Sequence, residues 1–287
     1  MIDLHIHTTA SADGQHTPKE IVTMAAGLGL SAIAFADHNT VAAVNEGASL
    51  CRNFGIDFIS AVELNTDYCG RDLHLLGYGM DVDDPALEQW LESIRGRRWN
   101  RAQAWAEKLA SLGLTIDYAQ VKGFTPGQVP TGSSFLRALL LHRENFAHPL
   151  VAPYAPGGPK ADNPYVLFYF EVLVDGPARV DVKDLTTIEA IDDLRNRFSA
   201  VPILAHPGAI ADYDIDVLVD AGLAGLEAIS SYHDAATTAR HLEYCRNRDL
   251  LVTAGSDFHG VKFKKAVALG GIEGNRRQYF DDLIARL

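Results

Sequence analysis

The sequence predicts an α/β protein organised as a parallel sheet or barrel with an inserted subdomain, and three observations point there. Short apolar runs alternate with amphipathic helical stretches, the pattern of repeated βα units. The apolar runs end repeatedly in histidine, aspartate or glutamate. Between about residues 114 and 185 the alternation lapses, and Pro/Gly-rich chain appears.

The first strand is Asp3-Leu4-His5-Ile6-His7, behind apolar Met1 and Ile2. Side chains two apart on a strand share a face, so His5 and His7 present two imidazoles to one metal ion. An isolated pair of this kind is as readily chance or a tag remnant; recurrence of ligand-type residues further on favours the metal. Thr17-Pro18-Lys19-Glu20 reads as a helix start, with Thr17 as N-cap, Pro18 at the first position and Glu20 three residues on. Residues 31–36 form a buried strand that delivers Asp37-His38-Asn39-Thr40, and a helix over about 40–54 follows. The strand 57–62 delivers Glu63, and after a turn at Cys69-Gly70 the strand 72–78 carries His74. From 85 to about 113 the periodicity is helical, with Leu87, Trp90, Leu91, Ile94, Trp99, Trp105 and Leu109 in one stripe, so the tryptophans read as core.

The irregular interval holds a helix near 133–143, a Pro/Gly-rich stretch over 149–164 and a strand-like run over 165–174. Its simplest account is a small subdomain, 114–185, inserted into a barrel made of 1–113 and 186–287 and expected to cap the functional rim. Alternation then returns. A helix over 187–198 leads to the strand 202–205 and His206-Pro207-Gly208; a helix over 214–221 leads to the strand 223–229, which contains Glu227. The helix 235–248 precedes the strand 250–254 and Gly255-Ser256-Asp257-Phe258-His259-Gly260, and a helix over 276–287 closes the chain.

Composition narrows the function. With 287 residues, 47% of them apolar, the chain can bury a substantial core. A formal net charge of −12 argues against bulk nucleic acid as a partner, since phosphate-backbone binders carry basic surfaces. Cys51, Cys69 and Cys245 form no CxxC pair, which excludes a thiolate zinc site and fits a reducing cytoplasm. No apolar run approaches the ~20 residues of a membrane span, and the start lacks signal-peptide features. A cytoplasmic protein without a membrane partner is expected, its oligomeric state unspecified.

Collected, the strand-end residues are His5, His7, Asp13, His38, Glu63, His74, His206, Asp257 and His259. In a parallel barrel such ends share one rim, where active sites are built. Singly, each has an ordinary explanation: His206 before Pro207 caps a turn, Glu63 is an exposed strand end. Their joint occurrence is hard to assign that way. A set of imidazoles and carboxylates without thiolates suits zinc, manganese or iron.

The motifs His5-x-His7, Ser11-Ala12-Asp13-Gly14, Ala36-Asp37-His38-Asn39-Thr40, Val62-Glu63-Leu64, Leu73-His74-Leu75, Ala205-His206-Pro207-Gly208 and Ser256-Asp257-Phe258-His259 resemble those of the PHP (polymerase and histidinol phosphatase) family. These are metal-dependent phosphoesterases within the amidohydrolase superfamily, and the resemblance covers about 1–84 and 187 to the end. It implies a distorted (β/α)7 barrel with three divalent transition-metal ions (manganese, zinc or iron) at the C-terminal rim. By that resemblance His5, His7, Glu63 and Asp257 hold one ion, Glu63 bridges to a second held with His74 and His206, and Asp13, His38 and His259 hold a third. Many members read Ser-Asp-Gly where this chain has Ser11-Ala12-Asp13-Gly14, which makes His16 a competitor for Asp13; the retained Asp-Gly pair favours Asp13.

The implied activity is hydrolysis of a small phosphorylated metabolite, a nucleotide or sugar phosphate, as monoester or cyclic diester, by a metal-activated hydroxide with phosphate as product. Asp37, His206 and His233 are candidates for proton transfer. Lys262, Arg143 and Lys160 are candidates for gripping phosphate, with Lys264, Lys265 and Arg137 as further cations. Three alternatives compete. An amidohydrolase-type C–N hydrolase lacks its strand-end lysine here, an exonuclease is disfavoured by the acidic charge, and an inert binding module would not keep nine ligand-type positions.

Overall fold

The computed structural model describes residues 1–287. The chain divides into two compact units, Met1–Glu92 with Leu185–Leu287, and Ser93–Asp184. The second unit thus begins about twenty residues before the expected position 114, inside a helix.

In chain order, strand β1 (Ile2–Ile6) leads to helix α1 (Pro18–Gly27), β2 (Ala32–Phe35), α2 (Val44–Phe54), β3 (Asp57–Phe58), β4 (Ala61–Tyr68) and β5 (Arg71–Tyr78). Helix α1 starts where the sequence predicts: Thr17 and Glu20 form a reciprocal capping box, with Pro18 just inside. Helix α3 (Pro85–Ser111) runs from the first unit into the second, which adds α4 (Tyr118–Gly123), α5 (Gly132–Leu139) and α6 (Pro164–Phe168). The chain then returns through α7 (Thr187–Asn196), β6 (Val201–Leu204), α8 (Asp212–Asp220), β7 (Gly225–Ser230), α9 (Ala235–Arg248), β8 (Leu251–Gly255) and α10 (Arg277–Arg286). No helix is long and apolar enough to cross a membrane.

The first unit holds two sheets, parallel β1-β2-β3 and a five-stranded sheet in the order β4-β5-β6-β7-β8. Backbone hydrogen bonds join them on both sides. The His7 N–H donates to Phe258 C=O (2.9 Å) and Asp257 N–H to His5 C=O (2.9 Å); Asn39 N–H donates to Glu63 C=O (2.8 Å). These seams bring the ends of β1, β2 and β8 and the start of β4 side by side. Strand β5 corrects the expected parallel arrangement, because it runs antiparallel to both β4 and β6. The reason lies in the two-residue turn: Cys69 (φ 52°) and Gly70 (φ 80°) both occupy the left-handed region, the geometry of a tight hairpin. A connection that short cannot make a parallel crossover.

Residues 165–174, expected as a strand, are α6 followed by a π-helical turn, Tyr169–Val174. Their β-branched and aromatic side chains pack in a helical core with Trp105, Phe135 and Leu139, and the second unit contains no strand for them to pair with. Tertiary packing here overrides β-propensity.

Candidate metal centre

Eight of the nine residues singled out in the sequence form three overlapping groups of ligand-type atoms, and His206 lies beside them. In the first, His5 Nε2 and His7 Nε2 lie 3.1 Å apart, and His7 Nε2 is 3.1 Å from both Glu63 Oε2 and Asp257 Oδ1. In the second, Glu63 is met by His38 Nδ1 at 3.0 Å and by His74 Nδ1 at 2.8 Å. In the third, Asp13 faces His38 Nε2 at 3.8 Å and His259 Nε2 at 3.7 Å, with His7 alongside. The grouping differs in detail from the expected sets. His7 and His38 each belong to two groups, and His206 reaches Glu63 Oε1 at 3.2 Å without completing a group of its own. His16 stays outside, facing Glu20 at 3.9 Å and stacked on Phe258.

Neighbouring residues aim these atoms inward. Ser11 Oγ donates to Asp37 Oδ1 (2.7 Å), so it accepts the Nδ1 proton of His7 (3.1 Å), which leaves Nε2 toward the carboxylates. His5 is set the same way by Glu227: Oε1 accepts from Nδ1 (3.0 Å), while Oε2 accepts the backbone N–H of His206 (2.9 Å). His259 Nδ1 donates to the Asp257 carbonyl (2.9 Å). Such outer partners fix the imidazole tautomer and ring plane, as around bound metals. Gly255 is required for this packing, since a Cβ there would lie 2.2 Å from Glu227 Oε1 and 2.3 Å from His5 Cβ. His206 (φ 26°) and Asp257 (φ 56°) are non-glycine residues in the left-handed region, and backbone strain of this kind collects at functional sites.

Electrostatics show what the donor set lacks. Burial alone would hold His7 neutral, yet Asp257 and Glu63 raise its pKa to about 9; burial likewise opposes His74, which Glu63 and Asp72 raise to about 10. Burial raises Glu63 as well, but the positive charges of His74, His5 and His38 carry it well below the usual carboxylate range. The carboxylates therefore demand positive charge among them. Asp13 Oδ1, His38 Nδ1, Glu63 Oε2 and Asp257 Oδ1 are buried without a hydrogen bond of good geometry. Orphaned polar atoms are costly in a folded interior, and cations bound among them would satisfy all four. The donor set fits divalent transition-metal ions.

The proton-transfer candidates fare unequally. Asp37 accepts from Thr8 N–H, Thr8 Oγ1, Ser11 N–H and Ser11 Oγ at 2.7–3.2 Å, so it is committed to holding the loop after β1. His233 donates from Nδ1 to Ala228 C=O (3.1 Å) and accepts Gly208 N–H at Nε2 (3.1 Å), leaving neither ring nitrogen for substrate. His206 alone faces the cluster. Among the cations, Lys160 is engaged by Glu171, Arg143 is exposed in the second unit, and Lys262 is exposed with its ammonium over Phe263. Lys264 instead pairs with Asp257.

Glu227 was legible in the sequence as a carboxylate between Leu226 and Ala228 in an apolar strand, a placement that demands a buried partner. Asp3 is a second such case. It is fully buried and accepts from Ser256 N–H and Oγ and from Gly270 N–H at 2.6–2.9 Å; burial nonetheless raises its pKa to about 6. Tyr232, which donates to Asp257 Oδ2 at 2.7 Å, left no signal in the sequence beyond its place after β7.

The chain is similar to proteins already described. The model of the PHP domain matches residues 3–122. A phosphoribosyl 1,2-cyclic phosphate 1,2-diphosphodiesterase of Eggerthella lenta is 28% identical over 273 residues, 93% of this chain and 97% of that protein. A 5'-3' exoribonuclease of Haemophilus influenzae is 34% identical over 138 residues, 48% of this chain and 50% of that protein. A solved structure from Bifidobacterium adolescentis, provisionally described as a metal-dependent phosphoesterase, matches with a TM-score of 0.79 at 24% identity, covering 99% of this chain and 96% of that one. The likeness to that structure is one of fold.

Proposed function

We propose, from the match of the PHP domain model to residues 3–122, that the protein hydrolyses a phosphate ester of a small metabolite, a nucleotide or sugar phosphate, as a monoester or cyclic diester. The observation that carries this reading is the convergence of inward-facing imidazole nitrogens and orphaned carboxylate oxygens on Glu63 and Asp257. His5, His7, Glu63 and Asp257 would hold one ion; Glu63, His74 and His206, with His38 adjacent, a second; Asp13, His38 and His259 a third. Divalent zinc, manganese or iron bound there would supply Lewis acidity toward phosphoryl oxygens and a water acidic enough to lose its proton near neutral pH. Glu227 and Ser11 keep the imidazoles of His5 and His7 aimed, so that little reorganisation accompanies charge development in the transition state. Asp37 and His233 act through the loops they hold.

The test is a turnover screen of protein reconstituted with manganese, zinc or iron against ribose cyclic phosphates, nucleoside mono- and bisphosphates, a 5'-phosphorylated RNA oligonucleotide and a panel of amides. A small phosphate ester should give the highest kcat/KM. Preference for the oligonucleotide would move the assignment to the exoribonuclease reading, which the Haemophilus influenzae relative favours and the net charge of −12 disfavours. Turnover of amides alone would overturn the phosphoesterase reading.

A further inference from the structure

A phosphoryl group held at the cluster would lie within reach of protein cations as well as of bound ions, and the geometry points to Lys264. The two oxygens of Asp257 face different ways. Oδ1 lies 3.1 Å from His7 Nε2 and 3.4 Å from His5 Nε2, inside the first group, and is one of the orphaned atoms. Oδ2 is taken by Tyr232 Oη at 2.7 Å and by the Lys264 ammonium. A divalent ion received at Oδ1 therefore leaves Lys264 in place, and the lysine stands beside a ligand of the ion rather than competing for it.

Its surroundings keep it there without using it up. The ammonium lies 5.3 Å from the centroid of the Tyr232 ring, a cation–π contact that adds to the ion pair. The Lys264 side chain is 19% exposed, enough to reach solvent at the mouth of the cluster. An ammonium has three N–H donors, and Asp257 is its one acceptor in the protein, which leaves two for an incoming anion. Tyr232 is anchored by its hydroxyl, packs edge-on against His206 at 5.4 Å and is 49% exposed, so the cation and an open aromatic surface adjoin at the site. We propose that Lys264 donates to a phosphoryl oxygen of the substrate and that Tyr232 holds it in position. This rests on the phosphoesterase reading for its purpose, though not for its measurement.

Inorganic phosphate is the probe, titrated calorimetrically into metal-loaded wild type, Lys264→Met and Lys264→Arg, with metal content of each measured by elemental analysis. Lys264→Met should keep its metal content and weaken phosphate binding by about tenfold or more, the loss expected for one hydrogen bond to a charged group; Lys264→Arg should recover most of it. Unchanged phosphate affinity in Lys264→Met, in an enzyme that still turns over phosphate esters, would overturn the proposal and leave the phosphoesterase reading standing. So would a loss of phosphate affinity that vanishes once metal content is restored, because Lys264 would then serve only to balance Asp257. Weakened phosphate binding in a protein that hydrolyses no ester would support Lys264 and remove the phosphoesterase reading. A wild type blind to phosphate would overturn the proposal and leave the phosphoesterase reading to the turnover screen.

Discussion

The two units bury different things. The barrel-bearing unit encloses Asp3, His5, His7, Glu63, Glu227 and Asp257 at 0–2% exposure, whereas the only buried charged residues of the second unit are Arg98, Arg101 and Asp184, the carboxylate pairing with both guanidinium groups at 2.7 and 2.9 Å. The rest of the second core is aliphatic and aromatic, with Trp105, Phe135 and Phe168 at its centre. A buried carboxylate is tolerated only with partners, so the first unit must either hold protons and cations at its rim or lose stability. The second unit has no such obligation and is held by packing. Removing a charge from one and a ring from the other should therefore have separable consequences.

Glu63→Ala should have the largest effect, because Glu63 belongs to two of the three ligand groups. Metal content should collapse and turnover should fall by about 10³-fold or more, read by elemental analysis beside steady-state kinetics. Full metal content in that variant would end the proposed assignment. Trp105→Ala tests the other side. The side chain is 2% exposed, donates to Leu173 C=O at 3.1 Å and meets Phe135 edge-on, so about 3–5 kcal/mol of stability should be lost. That loss should appear in denaturant unfolding while bound metal per chain stays as in wild type; metal lost in proportion to stability would erase the distinction between the units.

Within the barrel-bearing unit, His38→Ala should leave a folded protein with fewer ions and turnover reduced by about 10²-fold, consistent with several kcal/mol of lost charge stabilisation. An unchanged metal count with near-native turnover would reduce His38 to a bystander. The smallest effect concerns acid. His241 is buried beside Gly208, and burial lowers its pKa to about 4 from an ordinary 6.5. The folded state thus favours the neutral ring. The stability this gives is fully present above pH 6.5 and is lost as pH falls toward 4, on the order of 2 kcal/mol. Unfolding free energies of wild type and His241→Asn, compared from pH 7 to pH 4, should converge toward the acid end; a gap independent of pH would contradict this.

The same contrast explains what could be read from the sequence. Histidines and carboxylates at the ends of apolar runs announced the cluster, and the capping box at Thr17–Glu20 fixed the start of α1. The antiparallel course of β5 is not legible from Cys69-Gly70 alone, because turn chemistry specifies direction only once both residues are known to adopt positive φ. Residues 165–174 misled for a physical reason: Tyr, Val and Phe suit a pleated sheet and an aromatic helical core alike, and only their neighbours decide. Lys264 could not be told from Lys262 and Lys265 by spacing, since what distinguishes it is contact with Asp257.

The seam between β1 and the end of β8 sets a timetable for biosynthesis. Two of the four residues in the first group are His5 and His7, a third is Asp257, and the backbone hydrogen bonds that join their strands span about 250 positions. During translation the early histidines emerge long before their partner carboxylate, and contacts so distant in sequence are the last and slowest to form. On the proposed assignment metal affinity resides in the folded site, so the first group would be complete only after Asp257 has left the ribosome. On that assignment, filling of the first group would thereby check the finished barrel: a chain truncated or misfolded at β8 keeps His5, His7 and Glu63 and lacks the fourth member of that group.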